Sequence, residues 1–206
     1  MIRISKTKLR QEVTTWQTEL EYKPNWSAHE AVGRLLYWLG DPAASAHFQQ
    51  AARIYLQYNT NASAFLKAGN WVRLAGNLPQ ACALLEQSYA LFAPKLVQPN
   101  DQDLQMIIEC CFLLERYAEI PAFAQQLATR RIHFKLRAFP IARLAQAVQD
   151  QDQSEALAIA EHFSRSIRSG RSRIASTGLM SLWDWYEIAL RLAQDLGADI
   201  PEGTLP

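Results

Sequence analysis

The sequence predicts an all-α fold in which nine to ten helices form antiparallel hairpins stacked into a short solenoid. Apolar residues recur at steps of three and four, which places them on one face of a helix. Ala, Leu and Gln are abundant and β-branched residues are few, a composition that favours helix. At 206 residues, 49% of them hydrophobic, the chain can bury a sizeable core as one domain spanning 1–206.

The clearest helical hairpin lies between Asn61 and Phe92. Its two apolar stripes are separated by the sequence GNLP at 76–79, where glycine suits the end of one helix and proline suits the first turn of the next. Gly69 in the first stripe, like Gly33 in an earlier helix, is interpreted as a close-packing position. This hairpin is the unit that the rest of the chain repeats.

The helices before this hairpin are predicted from their caps and breaks. A first helix covers about 6–21 and is ended by Pro24. Ser27 is the expected N-cap of a second helix, with Glu30 as its capping-box partner. A third helix follows the break at 40–42, where Asp41 is the expected cap.

After the hairpin, the segment 94–103 is predicted to be a loop or a small hinge, because it combines two prolines with several turn-forming residues. The strongly apolar segment 104–115 is expected to be the central buried helix. Pro140 is expected to begin a later helix. A terminal helix from Leu182 is expected to stop at Gly197, before an extended tail over 198–206.

The second helix of each hairpin carries three equivalent apolar or small residues at steps of four and three. The first members of these triplets are separated by 37, 39 and 36 residues (81 − 44, 120 − 81 and 156 − 120). A fixed period of this size is typical of stacked repeats, in which each unit buries its face against its neighbours. The triplets are Ala44, Phe48 and Ala51; Ala81, Leu85 and Ser88; Ile120, Ala124 and Leu127; and Ala156, Ala160 and Phe163.

Three stretches, LAGNLPQACALLEQSYALFAP, LLERYAEIPAFAQQLA and QDQDQSEALAIAEHF, resemble the second half of a tetratricopeptide repeat. The resemblance covers about 31–163 and implies a right-handed solenoid. The chain departs from that pattern at Glu115, where glycine is usual, and its period exceeds the usual length of about 34 residues.

The stretches WLGDPAASAHFQQAARIY and LWDWYEIALRLAQDLGADIPEGTLP resemble the helical immunity proteins of bacterial polymorphic toxin systems, in particular immunity protein family forty-nine. This resemblance implies a protein that neutralises a co-encoded toxin by binding it. It transfers no catalytic residue to this chain.

Composition favours a cytoplasmic protein. No apolar run approaches the roughly 20 residues that span a bilayer, and the N-terminus lacks the apolar core of a secretory signal. Cys82, Cys110 and Cys111 have no metal-ligand spacing and are interpreted as core residues in a reducing compartment. The formal charge is +1, but nine basic and four acidic residues give the segment 130–173 a local charge of +5, which could steer an acidic partner there.

Residue patterns that would indicate catalysis or metal binding were sought in the sequence. The four histidines, His29, His47, His133 and His162, have no partner three or four residues away, which is the spacing that helical metal sites use. The sequence has no glycine-rich phosphate loop, nucleophile elbow or Cys-x-x-Cys motif. We therefore predict a protein that is not an enzyme and has no catalytic residues, metal or cofactor.

The candidate partner-binding residues form two basic runs and one aromatic cluster. Each basic run is either a solvated loop or a landing site for an acidic protein surface or RNA, and the two runs are expected to share one face. Trp183 and Trp185 are two residues apart and cannot face the same way on a helix, so one of them, or Tyr186, is expected to point into a groove, a loop or a partner. The basic candidates are Arg130, Arg131, His133, Lys135, Arg137, Arg165, Arg168, Arg171 and Arg173.

Together these features predict a non-enzymatic protein-binding module, most specifically an immunity protein that binds an acidic surface of a toxin. The alternative is a nucleic-acid-binding or regulatory helical protein that uses the basic C-terminal half, and it predicts steep salt dependence. An enzyme with a dispersed site is a third hypothesis. No membrane partner is expected, and a homodimer capped through the terminal Trp-rich helix is left open.

Overall fold

The computed structural model describes residues 2, 5–129, 135–171, 180–202 and 204–206, and of 135–138, 170 and 171 it describes the backbone only. Regular structure in these ranges consists of ten α-helices with short 3₁₀ and π-helical turns, and the ranges contain no strand, which confirms the all-α prediction. The helices are α1 (Lys6–Tyr22), α2 (Trp26–Leu39), α3 (Ala44–Tyr58), α4 (Ala62–Leu74), α5 (Leu78–Phe92), α6 (Asp101–Leu113), α7 (Ile120–Ala128), α8 (Lys135–Gln149), α9 (Gln153–Ser166) and α10 (Leu182–Asp195).

Each helix packs against the next in the chain, as expected for stacked hairpins. Glycines allow two of these contacts to be close. A Cβ on Gly33 would lie 3.1 Å from the ring of Phe48, and a Cβ on Gly69 would lie 2.9 Å from the side chain of Leu85. Gly33 and Gly69 are therefore close-packing positions, as predicted.

All twelve residues of the four repeating triplets are buried, which confirms the period read from the sequence. Ser88 is their one hydroxyl residue, and its side chain donates a 2.8 Å hydrogen bond to the carbonyl of Ala62 on the preceding helix. The repeat thus keeps one buried face on α3, α5, α7 and α9, and a polar residue is tolerated there because its hydrogen bond is satisfied.

Left-handed backbone ends the first helix of four hairpins. Gly40 (φ 74°) and Gly76 (φ 81°) adopt it without strain, as expected of glycine. The corresponding later turns place Glu115 (φ 59°) and Gln151 (φ 57°) in the same region. The departure at Glu115 therefore changes the residue but preserves the turn.

Several local predictions are corrected. Asn25, not Ser27, caps α2 by accepting a 2.9 Å hydrogen bond from the Ala28 N–H, and Glu30 is directed into the core instead of back to the cap. Pro140 lies inside α8, more than a turn after the helix begins. Cys82 is exposed, because its position on α5 faces away from the buried stripe.

The two predicted irregular segments are also more ordered than expected. Residues Ala93–Val97 form a 3₁₀ helix, and α6 begins at Asp101 with a reciprocal capping box between Asn100 and Asp103. The tail turns back at Pro201, whose carbonyl accepts a 3.2 Å hydrogen bond from the Thr204 N–H. None of the described helices has both the length and the apolar character needed to cross a membrane.

The terminal helix α10 lies against helices from earlier parts of the chain. It packs on α9 and also places side chains against α2, α4 and α6, which we call the inner helices. Trp183 contacts Trp38 of α2, with ring centroids 5.2 Å apart, and Trp185 contacts Phe112 of α6 at the same separation. The inner surface, which a solenoid would otherwise expose, is thus filled by the chain's own helix.

Candidate functional site

A cluster of buried charged side chains joins α10 to α2. Arg34 of α2 donates to Glu30 one turn earlier at 3.1 Å, to the hydroxyl of Ser181 at 3.2 Å and to the carboxylate of Asp184. Burial disfavours the charge on Arg34, but the carboxylates of Asp184 and Glu30 outweigh it and hold the arginine pKa above its ordinary value. Arg34 in turn overcomes the effect of burial on Asp184 and lowers the pKa of that carboxyl group.

Lys67 of α4 extends this cluster into an aromatic cage. Its ammonium lies 3.4 Å from Glu30 Oε2 and 4.1, 4.8 and 5.1 Å from the ring centres of Trp26, Trp71 and Tyr55. Burial lowers the pKa of Lys67, and the attraction of Glu30 opposes that effect. The three ring faces replace part of the water that the ammonium loses on burial.

Glu187 of α10 is a second anchor. It accepts a 3.0 Å hydrogen bond from the Tyr37 hydroxyl, pairs with Arg73 of α4 at 3.6 Å and accepts from Arg191. Burial, followed by the nearby Glu187 charge, raises the pKa of Tyr37 to about 12. The two α10 carboxylates, Asp184 and Glu187, therefore each meet basic side chains of the inner helices.

The carboxylates of α10 are paired with basic side chains of α2 and α4, and these pairs fix the position of α10 along the inner helices. Buried pairs of this kind can contribute to specificity of packing. If one member is removed, the charge of the other stays buried without a partner, which is destabilising. The sequence analysis does not predict this network. The feature that could have indicated it is the spacing of Glu30 and Arg34, which lie one turn apart on an otherwise apolar helix face.

The structure places the predicted aromatic site residues inside the chain. Trp183, Trp185 and Tyr186 are all buried, and the Tyr186 hydroxyl accepts a 3.0 Å hydrogen bond from the N–H of Ile2. Trp183 packs against Trp38 and Trp185 against Phe112, so the two tryptophans point toward different helices of this chain. The prediction that one of the three residues contacts a partner stays a prediction.

The predicted basic runs lie mostly outside the described part. Arg130, Arg131, His133 and Arg173 fall outside the described residues, and Lys135, Arg137 and Arg171 have only their backbone described, in α8 and in the π-helical turn Ile167–Arg171. Arg165 and Arg168 are exposed, and Arg168 pairs with Glu161.

A groove of about 480 Å³ is lined by residues of α3, α4 and α5. We call this surface the outer groove. Its floor is apolar, its rim carries glutamine amides, and its single charged lining residue is Arg53. No carboxylate in the described part of the chain pairs with Arg53. The lining residues are Gln49, Ala52, Arg53, Leu56, Gln57, Val72, Gln80 and Leu84.

The surface beside the outer groove is also poor in charge. Helix α5 contains one charged residue, Glu86, and exposes Leu78 and Leu91 to 63% and 42%. Glu86 is neutralised by Arg116, whose guanidinium lies 2.8 Å from it and 4.1 Å from the ring centre of Tyr89. A nearly uncharged, partly apolar concave face of this kind has the composition of an interface core.

Two histidines that are distant in sequence also meet. Nδ1 of His29 on α2 lies 3.1 Å from Nδ1 of His47 on α3. Both rings are half-buried. The chain reversal between α2 and α3 brings together residues 18 positions apart, which a search for neighbours three or four residues away does not detect.

No protein-family model, no curated protein and no solved structure matches this chain. The resemblances to tetratricopeptide repeats and to immunity proteins therefore stay predictions. The function must be argued from the surfaces of the molecule itself.

Proposed function

We propose that the protein is a non-enzymatic protein-binding module that acts in the cytoplasm, most specifically as an immunity protein that neutralises a co-encoded bacterial toxin by direct binding. The observation that carries this proposal is the outer groove, a concave and nearly uncharged surface with one unpaired arginine within the described part of the chain. Its position on the outside of the stack follows from the occupation of the inner surface by α10.

The proposal assigns different roles to the two sides of the stack. The inner surface is held closed by the buried pairs of Arg34 and Tyr37 with α10, so it acts as a rigid support. A rigid support lowers the entropy lost when a partner binds, because less of the interface has to be ordered. The outer groove then supplies the contact area.

The chemistry of the groove favours an amphipathic helix that carries a carboxylate as its partner. Aliphatic side chains of such a helix would pack on Leu56, Val72 and Leu84, and its carboxylate would pair with Arg53. Arginine is favoured at such positions because its planar guanidinium binds a carboxylate through two hydrogen bonds. An acidic helix on the surface of the toxin meets this requirement.

The test is co-expression of the chain with the protein encoded by the adjacent gene, followed by calorimetry with the two purified proteins. We expect restored growth of the host and a 1:1 complex. Arg53→Glu and Leu84→Asp should each weaken the complex about tenfold or more, since each acts at the proposed contact. Lys8→Glu makes the same charge change as Arg53→Glu on exposed α1 and should leave binding unchanged.

Two results would count against the proposal. If the adjacent gene product neither binds nor harms the host, the immunity function is wrong. If the adjacent gene product binds and Lys8→Glu weakens the complex as much as Arg53→Glu does, the assignment of the binding surface to the outer groove is wrong. Recovery of nucleic acid that is lost at high salt would support the nucleic-acid alternative instead, which rests on the basic C-terminal half.

A further inference from the structure

A histidine pair joins α2 and α3 at a position that the proposed function does not use. Neither His29 nor His47 lines the outer groove or belongs to the charge network under α10. Their Nδ1 atoms lie 3.1 Å apart and their ring centroids 5.2 Å apart. Both rings are partly open to solvent. The pair is therefore accessible to a small solute without opening the core.

Without a bound ion, the contact is a hydrogen bond in which one Nδ1–H donates to the other Nδ1. This requires the two rings to be different tautomers, one protonated at Nδ1 and the other at Nε2. A shared metal ion would replace this hydrogen bond and would lie to one side of the line that joins the two nitrogens. Two histidine nitrogens bound to one tetrahedral zinc ion, at about 2.0–2.1 Å each, are about 3.3 Å apart. The observed separation differs from this by a few tenths of an ångström, which a small ring rotation supplies.

The surroundings keep both rings in the form that binds metal. Burial lowers the pKa of His29 and of His47, and the neighbouring His47 lowers that of His29 further. Both imidazoles therefore favour the neutral form at pH 7. For both Nδ1 atoms to bind one ion, the donor ring's proton moves from Nδ1 to Nε2, which leaves a lone pair on each Nδ1. The nearest acid in sequence, Glu30, is directed inward to Arg34 and Lys67, so it does not protonate or block the pair.

We propose that His29 and His47 form a two-histidine site for a divalent first-row transition metal, namely zinc, nickel or copper(II). Imidazole nitrogen is a preferred ligand of all three ions. Within the described ranges no cluster of three or more His, Cys, Asp and Glu side chains is placed to hold a metal. The remaining coordination positions are therefore open to water or to a donor from a bound molecule. The ion would link α2 to α3 across the first hairpin.

The experiment titrates Zn²⁺, Ni²⁺ and Cu²⁺ in turn into metal-free protein at neutral pH, with calorimetry and thermal unfolding as readouts. We expect one ion per chain and a rise in Tm, because the ion binds the folded hairpin and not the unfolded chain. His29→Gln and His47→Gln should each weaken binding at least about tenfold, since each removes half of the chelate. Binding should also weaken below about pH 6, where protons compete for the imidazoles.

Two matched controls isolate the site. His162→Gln removes a partly exposed histidine on α9, and Cys82→Ser removes an exposed thiol. Both groups have affinity for these metals. Neither substitution should change the affinity. The far-ultraviolet circular dichroism of each metal-free variant checks its fold before titration. An absence of binding by the wild-type protein, or binding that His29→Gln and His47→Gln leave intact, would overturn the proposal.

Discussion

Two arginines on neighbouring helices, Arg34 of α2 and Arg53 of α3, have opposite surroundings. Arg34 is buried and bonded to two carboxylates, whereas Arg53 is exposed in a groove with no carboxylate paired to it in the described chain. The same residue type thus ties α2 to α10 at one position and stays exposed in the outer groove at the other. The difference shows that burial and pairing decide the role of a charge in this fold.

The largest expected effect comes from removing the inner arginine. Arg34→Met should lower the free energy of unfolding by about 3–5 kcal/mol, because the carboxylates of Glu30 and Asp184 would stay buried without their shared cation. Urea denaturation measures this. Arg53→Met is the matched control on the outer surface and should change stability by less than about 0.5 kcal/mol. Equal effects of the two substitutions on stability would show that burial and pairing do not distinguish Arg34 from Arg53.

A smaller effect concerns Tyr37, whose pKa is raised to about 12 by burial and then by Glu187. The folded state keeps this hydroxyl protonated, whereas the unfolded chain ionises it near pH 10. The stabilisation that comes from the raised pKa of Tyr37 is fully present below pH 10 and is lost as the pH rises to about 12. A shift of two pKa units corresponds to about 2–3 kcal/mol.

Unfolding experiments between pH 9 and 12 test this prediction. Tyr37→Phe should remove part of the alkaline loss of stability seen in the wild type. Tyr58→Phe, which alters an exposed tyrosine on the outer helix α3, should reproduce the wild-type slope. If the slope of Tyr37→Phe equals that of the wild type, Tyr37 does not ionise with unfolding as described.

The smallest expected effect on stability concerns the contact between Gly69 of α4 and Leu85 of α5. Gly69→Ala should destabilise the chain by about 1–2 kcal/mol, because the added Cβ would lie 2.9 Å from Leu85 and the overpacking outweighs the better helix propensity of alanine. Thermal unfolding measures the change. In a Leu85→Val background the cost should shrink, and an undiminished cost there would show that the strain lies elsewhere.

Much of the fold could be predicted because it depends on local periodicity. The triplet that includes Ala81, Leu85 and Ser88 repeats the 3.6-residue spacing that buries one face of each second helix, and all four triplets are buried. The turn at Gly76 could be predicted for a similar reason, since few other residues adopt a left-handed backbone without strain. These features need no knowledge of distant contacts.

The site residues were harder to predict because their roles depend on distant partners. One of Trp183, Trp185 and Tyr186 was expected to point into a groove, a loop or a partner. All three are buried, and the two tryptophans pack against residues that lie more than 70 positions earlier in the chain. The pairing of Arg34 with Asp184 likewise spans 150 residues. Glu30 has the spacing of a capping box, but its burial and its contacts with Arg34 and Lys67 show that it belongs to the core.

The sequence by itself determined the helices, their buried stripes and the turns that reverse the chain, because those follow from the steric preferences of each residue and its near neighbours. Only the tertiary structure decided that α10 fills the inner surface, that the outer groove stays open and that His29 meets His47. Those arrangements depend on how each helix is oriented and offset against its neighbours. The packing angles and offsets are set by contacts between helices, which no local pattern in the sequence specifies.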